Sequence, residues 1–273
     1  MKTLLQAPFM KEFIRMLDNM YRLGWHERNS GNASYLLYEE DIKPYKHELK
    51  LIKTIVLEGK FPILANRYFL VTGTTKYFKN ALELPEDTVG IIKINEQGNA
   101  YDILWGYSGT GKPTSELPTH LATHAVKLEL NPKHRMVLHA HATHTLAMSF
   151  THDLDEKLFT KTLWKMSTEC IVVFPEGVGV LPWMVCGNKE IADETAIKMH
   201  YVNAVIWSLH GMFAAGNTMD ETFGLIETIE KSATIYHLTS GLGVKQDITD
   251  NQLMKLANAF NVTPRADILH PTK

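Results

Sequence analysis

The chain is poor in cysteine, with Cys170 and Cys186 the two in 273 residues. Two thiols are too few for a disulfide scaffold and fit a reducing compartment, so a cytoplasmic protein is expected. It also lacks an excess of charge of either sign. Lys and Arg total 28, Asp and Glu total 30, and the formal charge is −2. That balance gives no support for a nucleic-acid partner, which calls for a basic patch and a high pI. No apolar run reaches about 18 residues, so no membrane span is expected. The opening MKTLLQAPFMKEF meets charge at Lys11 and Glu12, and its apolar stretch is too short for a secretory signal. No Pro/Gly/Ser-rich linker divides the chain, no segment repeats, and the phosphate loop G-x-x-x-x-G-K-[ST] is absent.

What is present begins with an ordinary globular composition, 45% apolar and 21% charged, which argues against disorder. Residues 9–23 carry Phe9, Phe13, Met16, Leu17 and Met20 at helical spacing, with Gly24 as a natural stop. A polar turn follows, then a strand-like SYLLY. Residues 40–60 are charged and read as surface loop. Segments 68–72, 88–95 and 99–104 read as strands, with turns at Thr72-Gly73 and Gln97-Gly98-Asn99. Helices are expected over Leu117–Leu130, with Pro118 harmless at an early position, and after Thr143 and Asn188 as caps. A capping box at Thr218-x-x-Glu221 opens a long helix to about Ser240, closed by Gly241. RMVLHAHA, CIVVFP and AVIWSLHG are short, rich in Val and Ile, and read as strands. Strands interleaved with helices imply an α/β sheet domain, and one domain over residues 1–273 is expected.

Thirteen histidines stand out. His139 and His141 lie two apart on a predicted strand, so both project from one face, about 7 Å apart at Cα, and can converge on one ion. An open catalytic zinc site needs a third protein ligand. His210, at the end of AVIWSLH and followed by Gly211, is one candidate. A rival set is Glu116, His120 and His124, spaced four apart at a helix start. His120 and His124 share a helix face, which suits either chelation or packing toward the sheet. His144 reads as a supporting or structural residue. His26, His47, His134, His152, His200, His237 and His270 lack metal-like spacing and are assigned to surface or packing.

Glu116 sits where the loop KPTSELP enters a helix, a place that favours a carboxylate on dipole grounds alone. Glu169, in STECIVVFP, precedes an apolar run. Three turns have the hydroxyls and backbone N–H groups that suit an oxyanion: ERNSGN, TGTTK and PTSEL.

These residues together resemble the class II, zinc-dependent sugar-phosphate aldolases. The matching segments are GWHERNSGN, PILANRYFLVTGTTKYFKN, ILWGYSGTGKPTSELPTH, RMVLHAHATH, STECIVVFPEGVGVLPWMVCG and HGMFAAGNTMDETFGLIETIEKSA. They run from about residue 24 to 233, and FNVTPRADIL extends the likeness toward the C-terminus. The resemblance implies a single-domain, three-layer α/β/α sandwich with a mainly antiparallel central sheet. It implies one zinc per subunit on His139, His141 and His210, which favours them over the helical pair. Glu116 becomes the catalytic glutamate. Asn29, Asn32, Thr74, Thr75 and Ser115 become the phosphate pocket. A homotetramer is implied as well, with sites between subunits and Glu169 reaching a neighbour's site. Two departures from the family pattern are visible. Ser30 stands where a second Gly is usual, and Thr74-Thr75 where a Ser-Gly pair is usual. The implied chemistry is retro-aldol cleavage of a ketose phosphate, with dihydroxyacetone phosphate as one product. A Schiff-base route is disfavoured because it needs a buried lysine and none is seen in the matching motifs. A non-catalytic, adducin-like head would lack the three histidines and the glutamate.

Overall fold

A computed structural model describes residues 2–269, so the assignment of His270 lies outside the described residues. In chain order the elements are α1 (Pro8–Arg22), β1 (Asn32–Leu37), α2 (Glu39–Ile42), β2 (Lys53–Val56), β3 (Tyr68–Thr72), α3 (Pro85–Thr88), β4 (Val89–Ile94) and β5 (Ala100–Gly106). There follow α4 (Leu117–Leu130), β6 (Met136–Ala140), α5 (Thr143–Thr151), α6 (Glu156–Met166), α7 (Cys170–Val173), β7 (Gly179–Leu181) and α8 (Lys189–Met199). The last are β8 (Ala204–Trp207), β9 (Gly211–Gly216), α9 (Met219–Thr239) and α10 (Asp250–Ala259). Among the described residues the strands form one nine-stranded sheet in the order β2-β5-β4-β3-β1-β6-β9-β8-β7. Every pair is antiparallel except β7–β8.

Strand alternation sorts the core into two faces. Ala33, Tyr35 and Leu37 of β1, with Met136, Leu138 and Ala140 of β6, pack among α1, α5, α6 and α9. The alternate residues face the other layer. Leu36, Phe69, Val71 and Ile92 meet Leu117, Leu121 and Leu128 of α4, while Val137, Val205 and Phe213 meet Ile191 and Met199 of α8. The result is the expected α/β/α layering around a mainly antiparallel sheet. All six residues of β1 are buried, as a strand covered on both sides requires. Asn32 and Ser34 therefore share a face with Leu36, toward α4. The β1–β6 register sets Asn32 opposite His139.

Four local expectations need correction. Residues 40–60 are no plain loop: they hold α2 and β2, an edge strand on β5 whose side chains are mostly exposed. Its exposure hides the alternation that marks a strand. CIVVFP forms α7 rather than a strand, with the N–H groups of Val172 and Val173 bonded to the Glu169 carbonyl. An apolar run that short carries no period to separate the two states. Thr143 is the first residue of α5 and does not cap it. The Glu230 carboxylate, reaching over from α9, accepts from the N–H groups of His144 and Thr145 instead. Thr218 caps α9 through the Glu221 N–H, but Glu221 turns back to Asn217, so the box is half made. Asn188 caps α8 as expected. No helix among the described residues is long and apolar enough to cross a membrane.

Candidate metal centre and active site

His139 is the fourth residue of β6 and is fully buried. Its ring stacks on Phe213, 4.6 Å between centroids and 18° between planes, and lies 5.2 Å from Trp207. Nδ1–H donates to the Met212 carbonyl at 3.0 Å, which leaves Nε2 as a bare lone pair. That Nε2 is buried and has no hydrogen-bond partner. His141 lies one residue beyond β6, where its backbone N–H donates to the Trp25 carbonyl. Its Nδ1–H donates to Glu27 at 2.9 Å, so its Nε2 is also a lone pair.

AVIWSLHG stops being a strand at Trp207. A turn follows with Leu209 at φ 63°, and His210 sits in that turn just before β9. The turn brings the His210 ring within 5.0 Å of both the His139 and His141 rings. One nitrogen from each histidine lies within 4.8 Å of the others. Gly211 permits this approach, since a Cβ there would stand 2.5 Å from the Ala140 carbonyl and 3.1 Å from the His141 ring. Burial, with its neighbouring imidazoles, holds His139 well below the usual histidine range. Burial, then His141, lowers His210 to about 4. Three converging imidazoles, one with a nitrogen orphaned in the interior, fit a divalent metal ion with positions left open. Partners on the far nitrogens of His139 and His141 fix ring orientation, as metal-binding histidines require.

Glu116 occupies the N-cap position of α4 and is buried. Its Oε2 is 3.6 Å from His139 Nε2 and accepts from Asn32 Nδ2 at 2.7 Å. Burial pushes its carboxyl up to about 7, against the opposing pull of the Asn32 amide. A carboxyl near neutrality beside a metal centre suits proton transfer in either direction.

The rival chelating pair has other engagements. His120 and His124 are fully buried under the sheet, and all four of their ring nitrogens are hydrogen-bonded, to Asn32, Ser34 and His134. His144 is structural as expected, with Nδ1 on Glu230 at 2.8 Å.

The three oxyanion-type turns meet near this centre. TGTTK and PTSEL are tied by a Gly73–Pro113 bridge and by Thr114 N–H to the Thr72 carbonyl, 2.9 Å. Thr75 is exposed at φ 61°, a left-handed region that disfavours a β-branched residue. Ser115 and Asn29 are exposed. Gly31 ends the first turn at φ 67°, where a Cβ would strike the buried His26 ring at 2.3 Å. Asn32 is buried, with its amide held by Glu116 on one side and His120 on the other. Glu169 stands apart from the cluster. It is exposed, hydrogen-bonded to Ser167, and lines a cavity of about 660 Å³ whose lining holds none of the three histidines.

The sequence reading missed three residues. Glu27 belongs to the polar turn singled out for its backbone. Ser34 gave no signal beyond its strand. Cys186 lies with Glu116 and His210 in a second group of donor atoms within 4.8 Å of one another, and it is exposed.

Residues 11–237 match the Class II Aldolase and Adducin N-terminal domain. The chain belongs to the class II aldolase and adducin family. Relatives similar in sequence include the rhamnulose-1-phosphate aldolase of Listeria monocytogenes, 49% identical over 98% of this chain and 99% of that one. The rhamnulose-1-phosphate aldolase of Enterococcus faecalis is also 49% identical, over 97% of this chain and 95% of its own. Among solved structures, the sugar-phosphate aldolase of Thermotoga maritima superposes with a TM-score of 0.76. It is 26% identical, and the match covers 87% of this chain and 97% of that one.

Proposed function

We propose that this chain is a zinc-dependent lyase. It cleaves L-rhamnulose 1-phosphate to dihydroxyacetone phosphate and L-lactaldehyde, a step of L-rhamnose breakdown. The observation that carries the reading is the orphaned His139 Nε2, which faces His141, His210 and the Glu116 carboxyl. The substrate follows the two rhamnulose-1-phosphate aldolases that share 49% identity over nearly the whole chain.

His139, His141 and His210 would hold one zinc per subunit. Bound there, the ion supplies Lewis-acid stabilisation of the negative charge that develops on the substrate oxygens. Glu116 handles the proton at C3. When the C3–C4 bond breaks, the C4 hydroxyl gives its proton to Glu169 as the aldehyde forms, the electron pair stays on the three-carbon fragment as an enediolate, and Glu116 delivers a proton to C3. In condensation Glu116 takes that proton back. Asn29, Thr74, Thr75 and Ser115, with the second N–H of Asn32, bind the phosphate through hydroxyls, amides and turn N–H groups. Glu169 is assigned to the C4 oxygen in a neighbouring subunit's site, in a cytoplasmic homotetramer. Its exposed position outside this chain's own cluster supports that role. Residues 1–273 act as one catalytic domain.

The test couples dihydroxyacetone phosphate release to an NADH-linked reductase. Cleavage of L-rhamnulose 1-phosphate in preference to L-fuculose 1-phosphate, lost with chelator and restored by zinc, is the expected result. Full activity in the metal-stripped protein overturns the zinc assignment, and no cleavage of rhamnulose 1-phosphate overturns the substrate.

A further inference from the structure

Behind Glu116, Asn32 leads to three buried polar side chains, His120, Ser34 and His124, to which the proposed chemistry gives no part. Asn32 Nδ2 is 2.7 Å from Glu116 Oε2, and Asn32 Oδ1 is 2.5 Å from His120 Nε2. His120 Nδ1 is 2.7 Å from Ser34 Oγ, which is 2.8 Å from His124 Nε2. His124 Nδ1 is 2.8 Å from His134 Nε2. Glu116, Asn32, His120, Ser34 and His124 are all buried, and the two rings are fully so.

The donors follow from one end. In its ionised form Glu116 only accepts, so Asn32 presents its nitrogen to Glu116 and its oxygen to His120. His120 Nε2 therefore carries the hydrogen. A neutral imidazole has one N–H, so His120 Nδ1 accepts from the Ser34 hydroxyl. Ser34 Oγ then accepts from His124 Nε2–H. One carboxylate orders each donor back to the second histidine. The converse matters more. The two ends of an asparagine amide are nearly the same size, and nothing in its shape stops a half-turn that would put Oδ1 against Glu116. The His120 donor prevents that turn. We infer that His120, Ser34 and His124 are positioning residues, which act through Asn32 to hold Glu116 at the angle its proton transfer needs. This rests on the reading of Glu116 as the proton carrier. A purely structural filling of the same space has no need of direction, since apolar side chains could fill it without unmet polar groups.

Two substitutions at one position separate these roles. His120→Gln places an amide nitrogen near the site of Nε2 and keeps a donor for Asn32. His120→Asn reaches only the site of Nδ1 and loses that donor. The metal-loaded His120→Asn enzyme should lose about tenfold to a hundredfold in kcat, the cost of a misplaced catalytic group. Its metal content should stay near that of the wild type, any rise in KM should be smaller than the loss in kcat, and His120→Gln should recover most of the kcat. Equal kcat losses in the two variants, or a loss confined to KM, overturn the inference. Should His120→Asn fail to fold, Ser34→Ala carries the test, because it removes one link with little change in volume and should lower kcat more than it raises KM. A crystal structure of the variant adds a readout free of substrate. Glu116 should have left its contact with Asn32, and an unmoved Glu116 overturns the positioning role. If the wild type cleaves no sugar phosphate, the functional reading fails by itself, and the position of Glu116 still decides this one.

Discussion

The molecule contains two histidine clusters on the same face of one sheet, and they are built on opposite plans. In the first, His139, His141 and His210 converge with nitrogens that lack protein partners, and two of the three rings are part-exposed. In the second, His120, His124 and His134 are sealed between the sheet and α4, and the nitrogens of the two helical rings are all spoken for. Spacing alone does not tell them apart, since H-x-H on a strand and H-x-x-x-H on a helix are both competent chelators. The difference lies in the partners. A lone pair that costs energy to leave unsatisfied is retained where something else will take it.

The sharpest way to break this contrast is to remove one member of each cluster. His210→Ala should abolish turnover, and the metal should no longer co-purify. His124→Gln should keep its full complement of metal, measured by atomic emission on both proteins. Metal lost from the second variant and kept by the first would reverse the assignment of the two clusters.

Next in size is the carboxyl between them. Glu116→Gln should keep the metal and lose about a hundredfold to ten-thousandfold in kcat, the usual contribution of a positioned proton carrier. Near-normal turnover in that variant would remove Glu116 from the mechanism. Proton exchange at C3 of dihydroxyacetone phosphate in deuterated water should fall in parallel, because it reports the same transfer without the aldehyde.

The sealed cluster also leaves a signature in stability. Burial lowers His120 and His134 to about 3, and holds His124 well below the usual range. The unfolded chain binds these protons near pH 6.5 and the folded chain does not. Their neutral burial is therefore without cost above pH 6.5, and stability falls as the pH drops from there toward 3. Each contributes a slope of roughly 1.4 kcal/mol per pH unit inside that window. Urea midpoints between pH 7 and pH 5 should fall steeply in the wild type, and less steeply in His120→Gln, which has one fewer group to protonate. Parallel curves would mean that His120 is already charged in the folded state.

How much of this was legible in the sequence follows from the same contrast. His139 and His141 could be placed on one face because a strand's period is short and RMVLHAHA is strongly apolar. His210 was found at a predicted strand end, although its real place is a turn made possible by Leu209 and Gly211. Leu117–Leu130 was legible to the residue because Pro118 marks its start. Edge strand β2 was not, because exposed strands carry no apolar alternation. CIVVFP was misread because four residues hold no period. The roles of Ser34 and Glu27 depend on β1–β6 pairing and on the loop folding back at Trp25, both long-range contacts with no local trace. The Glu230 cap on α5 was hidden for the same reason, 85 residues away in the chain.

The smallest expected effect concerns access. The metal centre opens beside Cys186, which is exposed and close to Glu116 and His210, while the other thiol, Cys170, is buried and pushed up to about 11 by that burial. An alkylating reagent such as iodoacetamide should therefore modify Cys186 in the native protein and spare Cys170 until urea is added, as peptide mass mapping would show. The adduct should block turnover by bulk at the mouth of the site, and dihydroxyacetone phosphate should slow its formation. Cys186→Ser, by contrast, removes no partner that Glu116 or the histidines depend on, and its kcat/KM should stay within about twofold, a change below 0.5 kcal/mol. A large loss in Cys186→Ser would place the thiol inside the metal's own ligand set, and the first cluster would then have four protein donors where three converge by geometry.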